Sequence, residues 1–387
     1  MPENTQAAGR IFALQREGES LQITLQRDQK THKVHFAKAP LHSEFLIEGD
    51  VVAIVSPEEI CLLAPQKMSL PRRTWAPEIL TKWNQYVQAL RDFFISQGFL
   101  EVKTPSLVPC PGTEPSLDVF ATELKVGSRS EKLYLPTSPE LHLKKALALG
   151  AEKIFEIALC YRNGEITERH QPEFTMLEWY RAYDNLSSIK KDVVHLLQHL
   201  AQTLHFAAPQ NIKSYSVAEL FKIHCDFHFT PQTTKAELKA LAEKMNVDVH
   251  SAETIDDFFF LIFMEKIESQ LNPKELIFVE KYPPYQAALA RLTDDGWGDR
   301  FEAYWQGYEL ANAFHELNDP AIQRLRAEED LDKKRDLNKE PVRLDSEFFQ
   351  CLEAGMPPSG GIALGVERLF MALTGISRIS DLRLFPW

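Results

Sequence analysis

The sequence predicts an α+β fold, a largely antiparallel sheet with flanking helices behind a small N-terminal β-module. Three observations point there. Residues 10–65 break into five short runs rich in β-branched and apolar residues, and a run of helical spacing follows from Trp75. Beyond it strand-like runs recur at long separation, with helical period concentrated in residues 184–270. Strands that pair at long range with helices outside them are the α+β pattern.

The five N-terminal runs are GRIFALQ, SLQITLQ, KVHFA, GDVVAIVS and EEICLLAP, separated by turn formers such as Glu17-Gly18-Glu19 and Glu48-Gly49-Asp50. Five strands in that length suit a small barrel such as a shortened OB-fold. A small β-module that only packs against the main domain suits them equally. The module is set at residues 1–70 and the main domain at 71–387, with PQKMSLPRR as the linker. In WAPEILTKWNQYVQALRDFFISQGF, residues Ile79, Trp83, Tyr86, Val87, Leu90, Phe93 and Phe94 recur at helical spacing, and Gly98 marks the end. FLEVKTPSLV reads as a strand carrying Pro105. KIFEIALCYRN and PEFTMLEWYRAY read as two strands around the polar turn GEITERHQ. Residues 184–270 read as a helical-rich insertion, with KAELKALAEKM its clearest helix. FEAYWQGYELANAFHEL returns to strands, and GGIALGVERLFMALTG reads as a glycine-rich strand running into a helix.

Composition bounds the function. A hydrophobic share of 44% and a charged share of 25% are those of an ordinary globular protein. The net charge of −12 argues against a generic polyanion binder, although a local basic patch can bind RNA on an acidic chain. Five cysteines without a CxxC pair argue against a zinc site or disulfide framework and for a reducing compartment. No apolar run approaches the roughly 20 residues that span a bilayer, so no membrane association is expected. MPENTQAAGR lacks the features of a signal peptide, which makes the cytoplasm the expected location.

Three clusters carry chemistry. Arg162, the loop to His170, Phe174 and Glu178 could clamp a nucleotide, because Arg pairs with phosphate in fork geometry and Phe offers a stacking face. A hairpin with solvated charges is the plain alternative. Glu302, Glu309 and Glu316 are seven residues apart, which requires a bend, placed at Gly307. Carboxylates near a triphosphate hold Mg²⁺ through oxygen. The neighbours Phe301, Tyr304, Trp305 and Phe314 weigh against simple surface charge, since buried carboxylates need a cation or a partner. In Gly360-Gly361-Ile362-Ala363-Leu364-Gly365-Val366-Glu367-Arg368, glycines let a ligand approach the backbone, and Arg368 could meet a phosphate. Such a run alone more often serves packing.

Taken together and in this order, the clusters resemble the three motifs of class II aminoacyl-tRNA synthetases over about residues 75–387. RHQPEFTMLEWY, ELANAFHELND and GIALGVERL are similar to the lysyl branch. The helix ending at Gly98, with Pro105 after it, is similar to the motif that forms that family's dimer interface, which implies a homodimer. The resemblance implies an ATP and Mg²⁺ site. Arg162 would bind the α-phosphate and the amino-acid carboxylate, and His170 and Arg368 the outer phosphates, with Arg162 and Arg368 as the catalytic pair. Phe174 would stack on adenine; Asn163, Gly164, Glu165, Gln171, Leu310 and Gly365 would line the ATP site. Glu302 and Glu309 would ligate the metal. Ser138, Pro139 and Glu140 match the segment that meets the α-amino group, and Glu178, Tyr180, Asn312, Phe314 and Glu316 match the lysine pocket. A buried ammonium needs such carboxylates and a hydroxyl acceptor.

Three positions depart from the family pattern: Gly164 and then Glu165 where the family has an acid first, Gln171 for Asn, and Glu367 for Asp. The N-terminal module is about half the length of that family's anticodon-binding domain and offers Phe12, Phe36 and Phe45 but no Tyr or Trp for stacking. TSPELHLKK, FTMLEWY and above all GIALGVERL resemble the elongation factor P–lysine ligase branch, in which Ala replaces the Gly found at position 363 in the tRNA enzymes. That resemblance implies an ATP-dependent ligase, AMP-forming, that activates (R)-β-lysine or lysine as an adenylate. The amino acid would pass to a lysine side chain of elongation factor P. tRNA is not expected as a partner. A tRNA-charging enzyme with a shortened anticodon module and a non-catalytic synthetase-like regulator are the alternatives, and the intact Arg162, Glu309 and Arg368 argue against the regulator.

Overall fold

The computed structural model describes residues 6–27, 30–40, 43–66, 77–250, 252–383 and 385. The chain divides into two compact units, Met1–Lys82 and Trp83–Trp387.

The first unit contains β1 (Ala7–Glu17), β2 (Ser20–Arg27), β3 (Lys30–Phe36), β4 (Val51–Ser56) and β5 (Glu59–Ala64). They form one antiparallel sheet of order β3–β2–β1–β4–β5. Alternation in β2 buries Leu21, Ile23 and Leu25 on one face, where Ile11, Phe36, Val52 and Ile54 complete a core. Of the segment PQKMSLPRR only Pro65 and Gln66 lie within the described residues.

After α1 (Pro77–Ser96) come β6 (Leu100–Glu101), β7 (Ala121–Val126), β8 (Arg129–Tyr134) and α2 (Glu140–Ala148). The strands β9 (Lys153–Tyr161) and β10 (Glu173–Ala182) follow, then α3 (Leu186–Leu204), β11 (Ile212–Ser216), α4 (Val217–Cys225), α5 (Lys235–Lys244) and α6 (Ile255–Ile262). The rest is β12 (Leu276–Tyr282), β13 (Gly298–Trp305), β14 (Tyr308–His315), α7 (Pro320–Asp336), α8 (Ser346–Gly355), β15 (Ser359–Gly365) and α9 (Val366–Thr374). The main sheet runs β11–β12–β13–β14–β15–β10–β9–β6 and is antiparallel except at its two edges, where β11–β12 and β6–β9 are parallel. The fold is therefore α+β.

Period-two alternation in β10 divides its side chains between two faces. Trp179 packs on Phe94 of α1 at 5.0 Å, and Asp192 of α3 accepts hydrogen bonds from both Trp179 and Arg181. Glu178 and Tyr180 face the opposite way, into the site. The insertion helices are fixed by local chemistry: Ser216 with Glu219, Thr234 with Glu237 and Thr254 with Asp257 form capping boxes at α4, α5 and α6. Their apolar faces close over Ile277, Val279 and Tyr304 of the sheet.

One expectation needs correction, and two local features went unannounced. FLEVKTPSLV forms a strand only at Leu100–Glu101; Val102 adds one bond to Phe155, and then the chain leaves the sheet ahead of Pro105, which has no N–H to donate. The hairpin β7–β8 has no apolar alternation to announce it, since nearly all of its residues are exposed. Residues 184–270 hold one strand, β11, recruited to the sheet edge by pairing with β12. The bend placed at Gly307 is the turn of the β13–β14 hairpin. Among the described residues no helix is long and apolar enough to cross a membrane.

Candidate active site

Two rows of side chains cross four strands on the face opposite α1. In the first, Glu302, Asn312, Ala363 and Glu178 lie directly opposite one another on β13, β14, β15 and β10. In the second, two residues along each strand, stand Arg300, Phe314, Gly361 and Tyr180. Paired residues share a face, so the register alone assembles these groups.

At one end of the rows lies a pocket of carboxylates. Ser138 donates to Glu178 Oε1 at 2.6 Å and accepts from the Glu140 N–H at 3.0 Å, which ties β10 to the first turn of α2 behind Pro139. Tyr180 donates to Glu178 Oε2 at 3.1 Å. Burial, reinforced by the charge of Glu140, pushes the Glu178 carboxyl up to about 8. Glu316 follows β14, fully buried, and burial raises its pKa too, although Lys144 opposes the shift. Lys144 Nζ lies 2.6 Å from Glu316 Oε2 and 2.5 Å from Glu140 Oε1. Glu316 Oε1 has no hydrogen-bond partner among the described residues. Gly361 is required here by close approach: a Cβ would stand 2.1 Å from Glu316 Oε1 and 2.3 Å from Tyr180 Cε1.

Ser138, Glu140, Asn312, Phe314 and Arg300 open onto a cavity of about 690 Å³ whose lining also carries Glu114, Glu253, Asp256, Asp257, Asp330 and Asp336 beside Lys333. Glu178, Tyr180 and Glu316 lie buried behind it. Arg300 organises the floor. It donates to Asn312 Oδ1 at 2.9 Å, to Glu302 and to the Gln286 carbonyl, and its guanidinium lies 4.1 Å from the centre of the Tyr282 ring.

A second cluster gathers the residues of the β9–β10 loop and of α9. The Arg162 guanidinium lies 5.1 Å from the Phe174 ring centre, and among the described residues its buried Nε has no partner, nor has Gln171 Oε1. Arg368 approaches His170 Nε2 at 2.5 Å and donates to the Glu309 carbonyl at 3.1 Å. Because Arg can only donate, His170 Nε2 must carry the lone pair, and Nδ1–H then donates to Thr167 Oγ1 at 2.9 Å. Burial and the charges of Arg368, Arg162 and Arg169 lower the His170 pKa to about 4, so the ring is neutral. Glu367 is structural: both its oxygens accept from the Thr175 N–H, which docks α9 on β10 and aims Arg368.

Glu309 and Glu302 adjoin this cluster. Burial and the charge of Glu302 raise the Glu309 carboxyl, which pairs with Arg368 at 3.6 Å. Glu302 accepts from Tyr282 and Tyr304, each at 2.5 Å, and from Arg300. Leu310 is buried between strands, and Gly365 caps α9. Asn163 is exposed and pairs through its backbone with Asp118. Gly164 has φ +80°, a conformation that disfavours the family's acid at that position. Glu165 makes no hydrogen bond or ion pair among the described residues.

The structure places the residues singled out from sequence on neighbouring strands, and adds three cations that the sequence reading did not name. Arg169, which donates to the Gly307 carbonyl at 2.9 Å and covers Tyr308, is adjacent to His170 and was legible there. Arg300 stands two residues before Glu302, the spacing that shares a strand face. Lys144 stands four residues after Glu140, the spacing that shares a helix face.

Comparison with known proteins agrees with this geometry. The family of tRNA synthetases class II (D, K and N) matches residues 61–387. An elongation factor P–(R)-β-lysine ligase of Haemophilus ducreyi is 35% identical over 325 residues, 82% of this chain and 97% of that protein. Proteins of the same name are 37% identical over 299 residues in Haemophilus influenzae (76% of this chain, 90% of the relative) and 36% identical over 323 residues in Proteus mirabilis (81% and 97%).

Proposed function

The chain belongs to the class II tRNA synthetases of the D, K and N group and, within them, to the elongation factor P–(R)-β-lysine ligases, and from this we infer that it is an ATP-dependent ligase of elongation factor P. It activates (R)-β-lysine as an aminoacyl-adenylate and transfers it to a lysine side chain of that protein. The observation that carries the choice of amino acid is the anionic excess of the pocket: Glu140, Glu178 and Glu316 face a single cation, Lys144. Fully ionised, the four groups leave a net charge of −2, which matches the two ammonium groups of a diamino acid. The further acids lining the cavity favour the same cation.

In the first half-reaction the amino-acid carboxylate attacks the α-phosphorus of ATP and pyrophosphate leaves. Arg162 holds the carboxylate and α-phosphate, and Phe174, already beneath a planar cation, provides the adenine platform. Arg368 and neutral His170 take the outer phosphates; Arg368 exchanges its bond to His170 for charge-assisted bonds to phosphate. Catalysis is positioning and neutralisation, with no protein nucleophile. In the second half-reaction the acceptor amine attacks the mixed anhydride, forming an amide and releasing AMP.

Glu309 and Glu302 would hold Mg²⁺. Glu302 is held in place by Arg300, Tyr282 and Tyr304, and Glu309 is part-exposed beside Arg368; two such carboxylates fit an ion that characteristically takes one or two and completes its shell with phosphate and water. The ion would neutralise the phosphate charge as it develops. Exposed Ile95, Leu100 and Leu107, on the segment resembling the dimer motif, support a homodimer. Residues 1–70 serve acceptor choice rather than adenylation, since every proposed site residue lies between Ser138 and Arg368; the strand order β3–β2–β1–β4–β5 suits a shortened OB-fold. We place the reaction in the cytoplasm and assign tRNA no part in it. Incubating elongation factor P with enzyme, ATP and (R)-β-lysine tests the reading: intact mass should rise by one lysyl residue, and an unmodified acceptor would refute it.

A further inference from the structure

Resting on the pocket reading above, we propose that Lys144 is a positioning residue for substrate: it holds Glu140 and Glu316 apart at a fixed separation, so that the two amines of the amino acid each meet their own carboxylate. Lys144 is fully buried, and its ammonium bridges Glu140 Oε1 at 2.5 Å and Glu316 Oε2 at 2.6 Å. Glu140 and Lys144 stand one turn apart on α2, so their relative position is set by the helix. The backbone of Glu316 is pinned to the sheet by its N–H, which donates to the Ser359 carbonyl at 2.8 Å. Lys144 thus links a helix and a sheet through two carboxylates that the substrate must also span.

The bridge occupies Oε2 of Glu316 and leaves Oε1 without a partner among the described residues, while Glu140 opens onto the cavity. Each acid keeps an acceptor for substrate. Lys144 also fixes the charge: without it the pocket would hold three carboxylates and no cation. Burial alone would lower its pKa, but Glu140 and Glu316 outweigh burial and hold it above its ordinary value, so it stays charged across the working range. The titratable groups facing it are Glu140 on its own helix, Glu316, and Glu178 and Tyr180 on β10. Because the amine beside the carboxylate shifts by one carbon between α- and β-lysine, the Glu140–Glu316 separation is also a specificity setting.

The test is amino-acid-dependent ATP–pyrophosphate exchange by the full-length chain and its Lys144→Met variant. The variant should raise KM for (R)-β-lysine about 30-fold or more while leaving the KM for ATP within about threefold of wild type. The acidic limb of kcat/KM for the amino acid should move to higher pH, because Glu178 and Glu316 lose the charge that favours their ionised forms. An unchanged amino-acid KM, or equal rises for both substrates, would overturn the role. If Lys144→Met does not fold, the double variant Lys144→Met/Glu316→Gln, which deletes the pair together, is compared with Glu316→Gln alone. The double variant should have the amino-acid KM about tenfold higher, because Glu140 has also lost its anchor, and equal KM values would overturn the role. A wild-type enzyme that exchanges normally beside an unaltered Lys144→Met removes only the positioning role, whereas no exchange by wild type removes the pocket reading with it.

Discussion

Ala363 on β15 lies directly opposite Glu178 on β10, so its methyl forms the floor between that acid and Asn312 on the other flank. It packs against the small cluster of Ala158, Cys160 and Met176. Increments of one methyl shift specificity by about 1–3 kcal/mol in a close-packed pocket. Ala363→Gly should therefore improve use of α-lysine relative to (R)-β-lysine by roughly 10- to 100-fold. The ratio of kcat/KM values in the exchange reaction checks this, and an unmoved ratio would count against it.

Gly361→Ala should do the opposite, by filling space. The new methyl would stand 2.1 Å from Glu316 Oε1 and 2.3 Å from Tyr180, both buried. Overpacking of that kind costs about 1–3 kcal/mol. Thermal unfolding should show a lower Tm, and KM should rise for the amino acid while that for ATP is spared. A variant with wild-type amino-acid KM would show that the acid pocket has been placed wrongly.

Glu178 supplies a pH signature. With its carboxyl at about 8 in the free protein, most molecules hold it protonated at pH 7, and an arriving ammonium favours the ionised form. Binding should release a fraction of a proton, and amino-acid affinity should rise as pH climbs towards 8. Raised above its unfolded value, the same group costs stability as pH rises past the ordinary Glu range, so Glu178→Gln should stabilise the free protein in alkaline buffer. Calorimetry in buffers of differing ionisation enthalpy measures the proton, and the variant should abolish its release. Zero release by wild type would contradict the assignment.

The cluster proposed as a nucleotide clamp could be singled out because its residues are punctuated by local chemistry: an arginine at a strand end, a polar turn, a glycine-rich strand entering a helix. Asn312, Phe314 and Glu316 are assigned to a lysine pocket only through the family resemblance of ELANAFHELND, and Glu316 falls just beyond the end of β14. The Lys144 bridge was not legible, because its partner Glu316 is brought near only by the β14–β15 register and the seating of α2. Nor was Arg300, whose contacts to Asn312 and Gln286 cross a hairpin and a loop. The shortness of β6 was hidden for a related reason, since a strand survives only as far as a neighbour accepts its bonds.

Arg162→Ala and Arg368→Ala should each reduce exchange by about 100-fold or more, since each removes charge-assisted bonds from the phosphates. Circular dichroism should remain that of wild type. Because the His170 ring is neutral, with a pKa of about 4, the pH–rate profile should show no limb from it near 6.5. Activity within a few-fold of wild type in either arginine variant would contradict the clamp.

Amino-acid-dependent ATP–pyrophosphate exchange by the full-length enzyme, run in parallel with (R)-β-lysine and α-lysine, tests the central claim most directly. The predicted result is exchange with both and a kcat/KM at least about tenfold higher for (R)-β-lysine. Preference for α-lysine, together with efficient charging of transcript tRNA, would contradict the ligase assignment and leave a shortened lysyl-tRNA synthetase in its place.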